Sequence, residues 1–300
     1  QYARPMTFDD NARIDTSRVR RRGRGAAIGG GAGIGIIALI ALILGPILGV
    51  DLSGLVGGET AGGSGTSEDR ELTECATGSA ANDSLDCRIV ATADSLDTYW
   101  SAELPTYGVE YRTTGAILFS GQTSTGCGTA TSAVGPFYCP SDETIYMDTD
   151  FFDELRTRFG SSGGPLAEMY VVAHEWAHHI QNVSGIMNGL NLQDSGPGSD
   201  GVRLELQADC FAGAWVGAAP TILDASGKPF LEPVTEAEIR DALSAAAAVG
   251  DDRIQSSMGG GVNPESWTHG SSDSRQRWFI TGLQGGPQAC NTFEVATSQL

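Results

Sequence analysis

Residues 26–50 hold no charged side chain over 25 positions and end in the aliphatic run IIALIALILGPILGV. At about 1.5 Å per residue, a helix of that length crosses a hydrocarbon layer of roughly 30 Å. Arg18, Arg20, Arg21, Arg22 and Arg24 precede the run and Asp51 follows it. That asymmetry predicts a cytoplasmic N-terminus and an extracytoplasmic remainder. No A-x-A-like cleavage site follows, so the pattern reads as a retained anchor rather than a signal peptide. The expected organisation is a basic cytoplasmic segment over 1–25, one transmembrane helix over 26–50 and a linker over 51–73. The linker holds the Gly/Ser/Thr-rich stretch GLVGGETAGGSGTS, and a globular domain over 74–300 follows it.

Within that domain the apolar positions change period. Leu166, Met169, Tyr170, Ala173, Ala177 and Ile180 recur at helical spacing after Pro165, with Gly185 as the stop. A second helix is predicted over 202–215, after the Gly/Ser/Asp-rich loop 195–201, and a short one over 151–159. A third runs over 235–249, with Thr235 as N-cap and Glu238 completing a capping box. Short strands are predicted at Thr144–Asp148 and Gly115–Phe119.

Charge sharpens the picture. The formal net charge is −19, yet residues 1–50 carry seven Arg against three Asp, leaving −23 on the rest. A strongly acidic body excludes generic nucleic-acid binding, which needs a basic face. Six cysteines all lie beyond residue 50: Cys75, Cys87, Cys127, Cys139, Cys210 and Cys290. Pairing Cys75 with Cys87 and Cys127 with Cys139 would close two short loops and leave Cys210 for Cys290. That is one of fifteen connectivities.

The first long helix contains His174-Glu175-Trp176-Ala177-His178, an H-E-x-x-H match. Four residues advance a helix by about 400°, which leaves the two imidazoles about 40° apart on one face. They can bind one metal ion together. Glu175 falls about 60° from His178, in reach of a water at that ion without being a ligand. His179 points about 100° away from His178 and belongs beside the site or on the surface. A hydrolytic zinc site takes a third protein ligand and keeps one position open. Glu205, 27 residues after His178, is the candidate. Asp209, one turn on, is placed to accept the ring N–H of a ligating histidine. His269 is the only histidine outside the metal helix. It is a candidate for stabilising an oxyanion, or a structural histidine near Trp267 and Trp278. Asp251, Asp252 and Arg253 read as a structural turn and ion pair.

With these residues in place, the chain resembles the bacterial neutral zinc metallopeptidase family. The blocks GPFYCPSDETIYMDTDFF, AHEWAHHIQ, RLELQADCFAG, DDRIQ and THGSSDSRQRWF carry the resemblance, together with FDDNARIDTSRVRRRG near the start. Glu205 with Asp209 also looks like the glutamate helix of thermolysin-like zincins. The resemblance implies His174, His178 and Glu205 as zinc ligands and Glu175 as general base. It implies an α+β, zincin-like domain with a thermolysin-type minimal core. By the same analogy, Thr144–Asp148 would be the edge strand that pairs with extended substrate. The expected function is membrane-anchored, Zn2+-dependent peptide hydrolysis of a peptide or protein substrate, without nucleic acid. The alternative is a membrane-tethered, non-catalytic zinc-binding or scaffold module, which a closed fourth ligand would favour.

Overall fold

The computed structural model describes residues 8–23, 69–132, 134–257 and 261–300. Seven strands occur among them: β1 (Val19–Arg21), β2 (Arg70–Glu71), β3 (Gly115–Phe119), β4 (Gln122–Thr125), β5 (Gly128–Thr131), β6 (Phe137–Cys139) and β7 (Thr144–Asp148). Five of these make the main sheet, in the order β2-β1-β3-β7-β6. The three inner strands run parallel, and the two outer strands are antiparallel to their neighbours. Strands β4 and β5 form a separate antiparallel hairpin.

Parallel neighbours require crossovers. The passage from β1 to β3 carries α1 (Gly78–Asp83) and α2 (Leu85–Glu103). The Ser84 hydroxyl caps α2 by accepting the N–H of Cys87. After the sheet come α3 (Phe151–Thr157), α4 (Pro165–Val183), α5 (Asp200–Ala218), α6 (Glu236–Ala248), α7 (Asp251–Ser257) and α8 (Ser272–Gly285). The fold is therefore mixed α/β, with two helices inside the β1-to-β3 connection, and this corrects the α+β class expected from the sequence.

The sheet also overturns the expected topology. Arg21 pairs with Arg70 across β1 and β2, and Arg20 pairs with Ile117 across β1 and β3. Chain on both sides of the 26–50 run thus lies in one sheet, separated by strand spacings of about 5 Å. A single span would hold the same residues about 30 Å apart, on opposite faces of a bilayer. The basic residues that resemble a cytoplasmic flank are instead matched within the fold: Arg20 to Glu71, Arg21 to Asp86 and Arg22 to Asp69, each at 2.8 Å. No helix among the described residues is long and apolar enough to cross a membrane. The predicted span over 26–50 itself lies outside them. The expected single-pass membrane protein, with its N-terminus cytoplasmic and its domain extracytoplasmic, is not supported.

Thr144–Asp148, assigned by analogy to the sheet edge, is an inner strand, and its neighbour β6 is the edge on that side. Helix α4 runs through the middle of the helical layer, packed against α2, α5 and α6. Its Trp176 and Tyr170 are buried with Trp100 of α2 and Trp215 of α5. The Thr235–Glu238 capping box opens α6 as predicted.

Helices α5 and α8 approach closely through small residues. A Cβ on Gly282 would lie 1.8 Å from the Cys210 carbonyl oxygen, and one on Gly213 would lie 2.0 Å from that of Phe279. Only glycine allows this backbone contact. The disulfide Cys210–Cys290 fastens the chain after α8 to the same helix. Bonds Cys75–Cys87 and Cys127–Cys139 complete the pairing, so the one connectivity suggested by loop length is the one formed.

Candidate active site

Helices α4 and α5 converge where their polar residues face each other. His174 and His178 stand one turn apart on α4, and Glu205 faces them from α5. Donor atoms of the three all lie within 4.8 Å of one another. Glu205 Oε2 is 3.1 Å from His174 Nε2, and Glu205 Oε1 is 3.5 Å from His178 Nε2. Ligands about 2.0–2.1 Å from a tetrahedral zinc ion stand about 3.3 Å apart. Two imidazole nitrogens and a carboxylate at this spacing fit such an ion.

Each histidine is oriented from behind. Nδ1 of His174 donates to Asp209 Oδ1 at 2.9 Å, which leaves Nε2 facing Glu205. His178 Nδ1 lies 2.8 Å from Gln181 Oε1. Asp209 is itself fully buried. It accepts from Arg275 Nε at 2.7 Å, from Arg275 Nη2 at 2.9 Å and from the Tyr170 hydroxyl. Burial alone would raise the Asp209 pKa, but the charges and hydrogen bonds of Arg275 and His174 together outweigh it and hold the carboxyl below its ordinary value. Burial also opposes a charge on His174, yet Asp209 and Glu205 push its pKa up to about 10. Glu205 is drawn well below its ordinary value against the pull of burial, chiefly by His178. Glu175 is different: burial raises it, against the partial opposition of the two histidines.

Glu175, His178, Glu205 and His269 share the wall of one cavity of about 440 Å3. Phe137 and Tyr138 of β6 form another side, with Thr129 and Ala130 of the β4–β5 hairpin. Cys127 at the hairpin turn is bonded to Cys139 at the end of β6, so this wall is stapled to the sheet edge. Met187 and Leu192, from the loop between α4 and α5, add apolar surface to the lining.

His269 reaches the cavity from the loop before α8. The Asp251 carboxylate accepts the backbone N–H groups of Thr268, His269 and Gly270 at 2.8, 2.6 and 2.9 Å. It also lies 3.2 Å from His269 Nδ1. Burial opposes the imidazolium, but Asp251 raises the His269 pKa overall. The sequence suggests a structural turn and ion pair here; Asp251 instead opens α7 and anchors the loop that carries His269. His179 is fully buried away from the cluster. Its ring spans the Arg112 carbonyl, 2.6 Å from Nε2, and the Tyr138 hydroxyl, 3.1 Å from Nδ1.

Sequence reasoning misses two members of the site, Gln181 and Arg275. Gln181 sits three residues after His178, on the same side of the helix. Arg275 shares the buried face of α8 with Trp278, Phe279 and Gly282. A cation on an apolar stripe was the available signal.

Two histidines and a glutamate, presented by two packed helices beside a cavity, make a candidate metal site on a mixed α/β fold. The chain belongs to the family described as "Putative neutral zinc metallopeptidase", whose model matches residues 6–293. Zinc and a peptide or protein substrate follow at the level of that family. Among its relatives, an uncharacterized protein of Mycobacterium tuberculosis is 53% identical over 228 residues, covering 75% of this chain and 76% of the relative. The uncharacterized protein YpfJ of Escherichia coli is 35% identical over 302 residues, covering 96% and 99%. No solved structure matches the chain.

Proposed function

We propose that the protein hydrolyses peptide bonds, with His174, His178 and Glu205 holding a zinc ion and Glu175 acting as general base. The observation that carries this reading is the meeting of the three donors within 4.8 Å at the wall of a cavity that Glu175 also lines. Zinc bound there supplies a Lewis acid that lowers the pKa of water and polarises the scissile carbonyl. Glu175 takes a proton from the attacking water as its oxygen bonds to the carbonyl carbon, then delivers that proton to the leaving amine as the C–N bond breaks. Burial, which raises the Glu175 pKa, suits a group that must both accept and return a proton. His269 donates to the carbonyl oxygen as negative charge builds there; Nδ1 is engaged by Asp251, and Nε2 has no partner among the described residues. The outer edge of β6 offers backbone groups to an extended peptide, beside Phe137 and Tyr138.

A purely structural zinc site takes four protein ligands. The cluster found among the described residues has three, and its neighbours line a cavity, which favours hydrolysis over the scaffold reading. The test is cleavage of casein and of a peptide library by the zinc-loaded protein, with chelation and zinc re-addition. Cleavage that stops with chelator and returns with zinc is the expected result. A folded, zinc-loaded protein that cuts neither, or one that cuts equally well in chelator, overturns the proposal.

A further inference from the structure

We infer that Arg275 is a positioning residue: it sets the orientation of His174 through Asp209 and so ties the metal site to the C-terminal helix. The inference rests on the zinc-site reading above. Arg275 is 2% exposed, and its guanidinium engages both oxygens of Asp209, Nε to Oδ2 at 2.7 Å and Nη2 to Oδ1 at 2.9 Å. This fork fixes the plane of the carboxylate as a single donor cannot. Oδ1 is thereby aimed at His174 Nδ1, 2.9 Å away. In the neutral ring that a metal ion would require, an Nδ1–H held on Asp209 leaves Nε2 as the unprotonated nitrogen, the one that faces Glu205. The same Nη2 lies 3.2 Å from the Tyr170 hydroxyl, which also donates to Asp209. Arginine, tyrosine and histidine therefore converge on one buried carboxylate, and each fixes the others.

Helix α8 reaches this point because of its own backbone. Its Gly282 lies against the Cys210 carbonyl, and the Arg203 guanidinium further binds the carbonyls of Thr292 and Val295 beyond α8. A helix with no ligand of its own thus determines the geometry of one. Apart from the Nη1 contact to the Val249 carbonyl at 3.2 Å, the hydrogen bonds of Arg275 all go to this cluster.

The test is a zinc-affinity cycle over Arg275→Met, Asp209→Asn and the double variant, with Arg275→Lys as the conservative change. Affinity is read by competition with a chromophoric chelator, and circular dichroism reports folding. Removing a group that orients a metal-bound histidine lowers affinity about 10–100-fold. Arg275→Met is expected to fall in that range, with Arg275→Lys between it and wild type. In the Asp209→Asn background, Arg275→Met should cost nothing further, because its effect passes through the carboxylate. Should Arg275→Met fail to fold, with Asp209 left buried without its arginine, the comparison of Asp209→Asn with the double variant decides alone. Nitrogen NMR of the zinc-loaded protein should show one Nδ1-protonated ring for His174 in wild type and lose that signal in folded Arg275→Met. Wild-type affinity in folded Arg275→Met, or a further loss in the Asp209→Asn background, overturns the inference. Failure of wild type to bind zinc at all defeats the underlying zinc reading instead, so the two failures are distinguishable.

Discussion

Gln181 presents its side-chain oxygen to Nδ1 of His178 at 2.8 Å, while its side-chain nitrogen is committed to α5. That nitrogen donates to the Leu204 carbonyl at 2.8 Å and to Gln207 Oε1 at 3.1 Å, so the amide has one available orientation. The Gln207 nitrogen in turn donates to the Cys290 carbonyl. His178 is thus held by a neutral acceptor and His174 by a carboxylate, both braced from the neighbouring helices.

Gln181→Leu keeps the side-chain volume and removes the acceptor. We expect the folded variant to bind zinc about 10–100-fold more weakly, the usual consequence of freeing a ligating imidazole. Gln181→Glu should retain more affinity than Gln181→Leu, since a carboxylate oxygen still accepts from Nδ1. Isothermal titration with zinc checks both, and wild-type affinity for Gln181→Leu would remove Gln181 from the site.

Glu175→Gln preserves shape and removes the base. Zinc content should stay near one equivalent while turnover falls roughly 10²–10⁴-fold. Metal analysis beside the peptide-cleavage rate is the measurement. Unchanged turnover would eliminate Glu175 as the base, and lost zinc would place it among the ligands.

Glu205→Ala and Asp209→Asn should fail differently. The first removes a donor from the three-residue cluster and leaves two histidines. The second leaves all three donors and weakens only the orientation of His174. Asp209→Asn should recover activity in excess zinc, and Glu205→Ala should not. If folded Glu205→Ala binds zinc as tightly as wild type, the third donor lies elsewhere.

The meeting of His174, His178 and Glu205 was legible because helical geometry converts spacing into direction. His174, Glu175 and His178 needed only the 3.6-residue repeat, and Glu205 with Asp209 needed only a second helix facing the first. What joins the cluster to the rest was less visible. Nothing local in the sequence places Arg275 beside Asp209, 66 positions before it; the Gly282 contact brings α8 against α5. Strand β1 was hidden for another reason: Val19–Arg21 is three residues long, too short for a period-2 pattern. Its arginines match a membrane flank as readily as the partners Glu71, Asp86 and Asp69, which lie 47 or more positions away. A parallel strand bonded to residues about 100 positions on leaves no local trace.

The disulfides should differ in weight. Cys210–Cys290 spans 80 residues, whereas Cys75–Cys87 and Cys127–Cys139 each span 12. Chain-entropy reasoning gives about 4.5 kcal/mol for the long loop and about 2.8 kcal/mol for a short one. Cys210→Ala with Cys290→Ala should therefore lower the urea midpoint more than Cys127→Ser with Cys139→Ser. The second pair should instead raise KM, because the hairpin it staples walls the cavity. Equal midpoints for the two variants would count against loop closure as the main contribution.

Asp148 makes stability depend on pH. It is 1% exposed at the end of β7, and Oδ1 accepts the Asp150 N–H at 3.2 Å. Its Oδ2 has no hydrogen-bond partner among the described residues. Burial pushes its pKa up to about 6, opposed by that N–H and aided by the Asp150 charge. An unfolded aspartate titrates near 3.9. Between about pH 4 and pH 6 the folded protein therefore keeps a proton that the unfolded chain has released. Stability contributed by protonated Asp148 is present at the low end of that window and is lost as pH rises through it. The loss is on the order of 1–3 kcal/mol. Asp148→Asn carries no charge at any pH in the window. Its melting temperature should match wild type near pH 4 and exceed it near pH 7. Asp94, also raised to about 6 by burial, leaves a residual slope in both proteins, so the informative quantity is their difference. A difference that stays constant from pH 4 to pH 7 would show that Asp148 titrates alike in the folded and unfolded states.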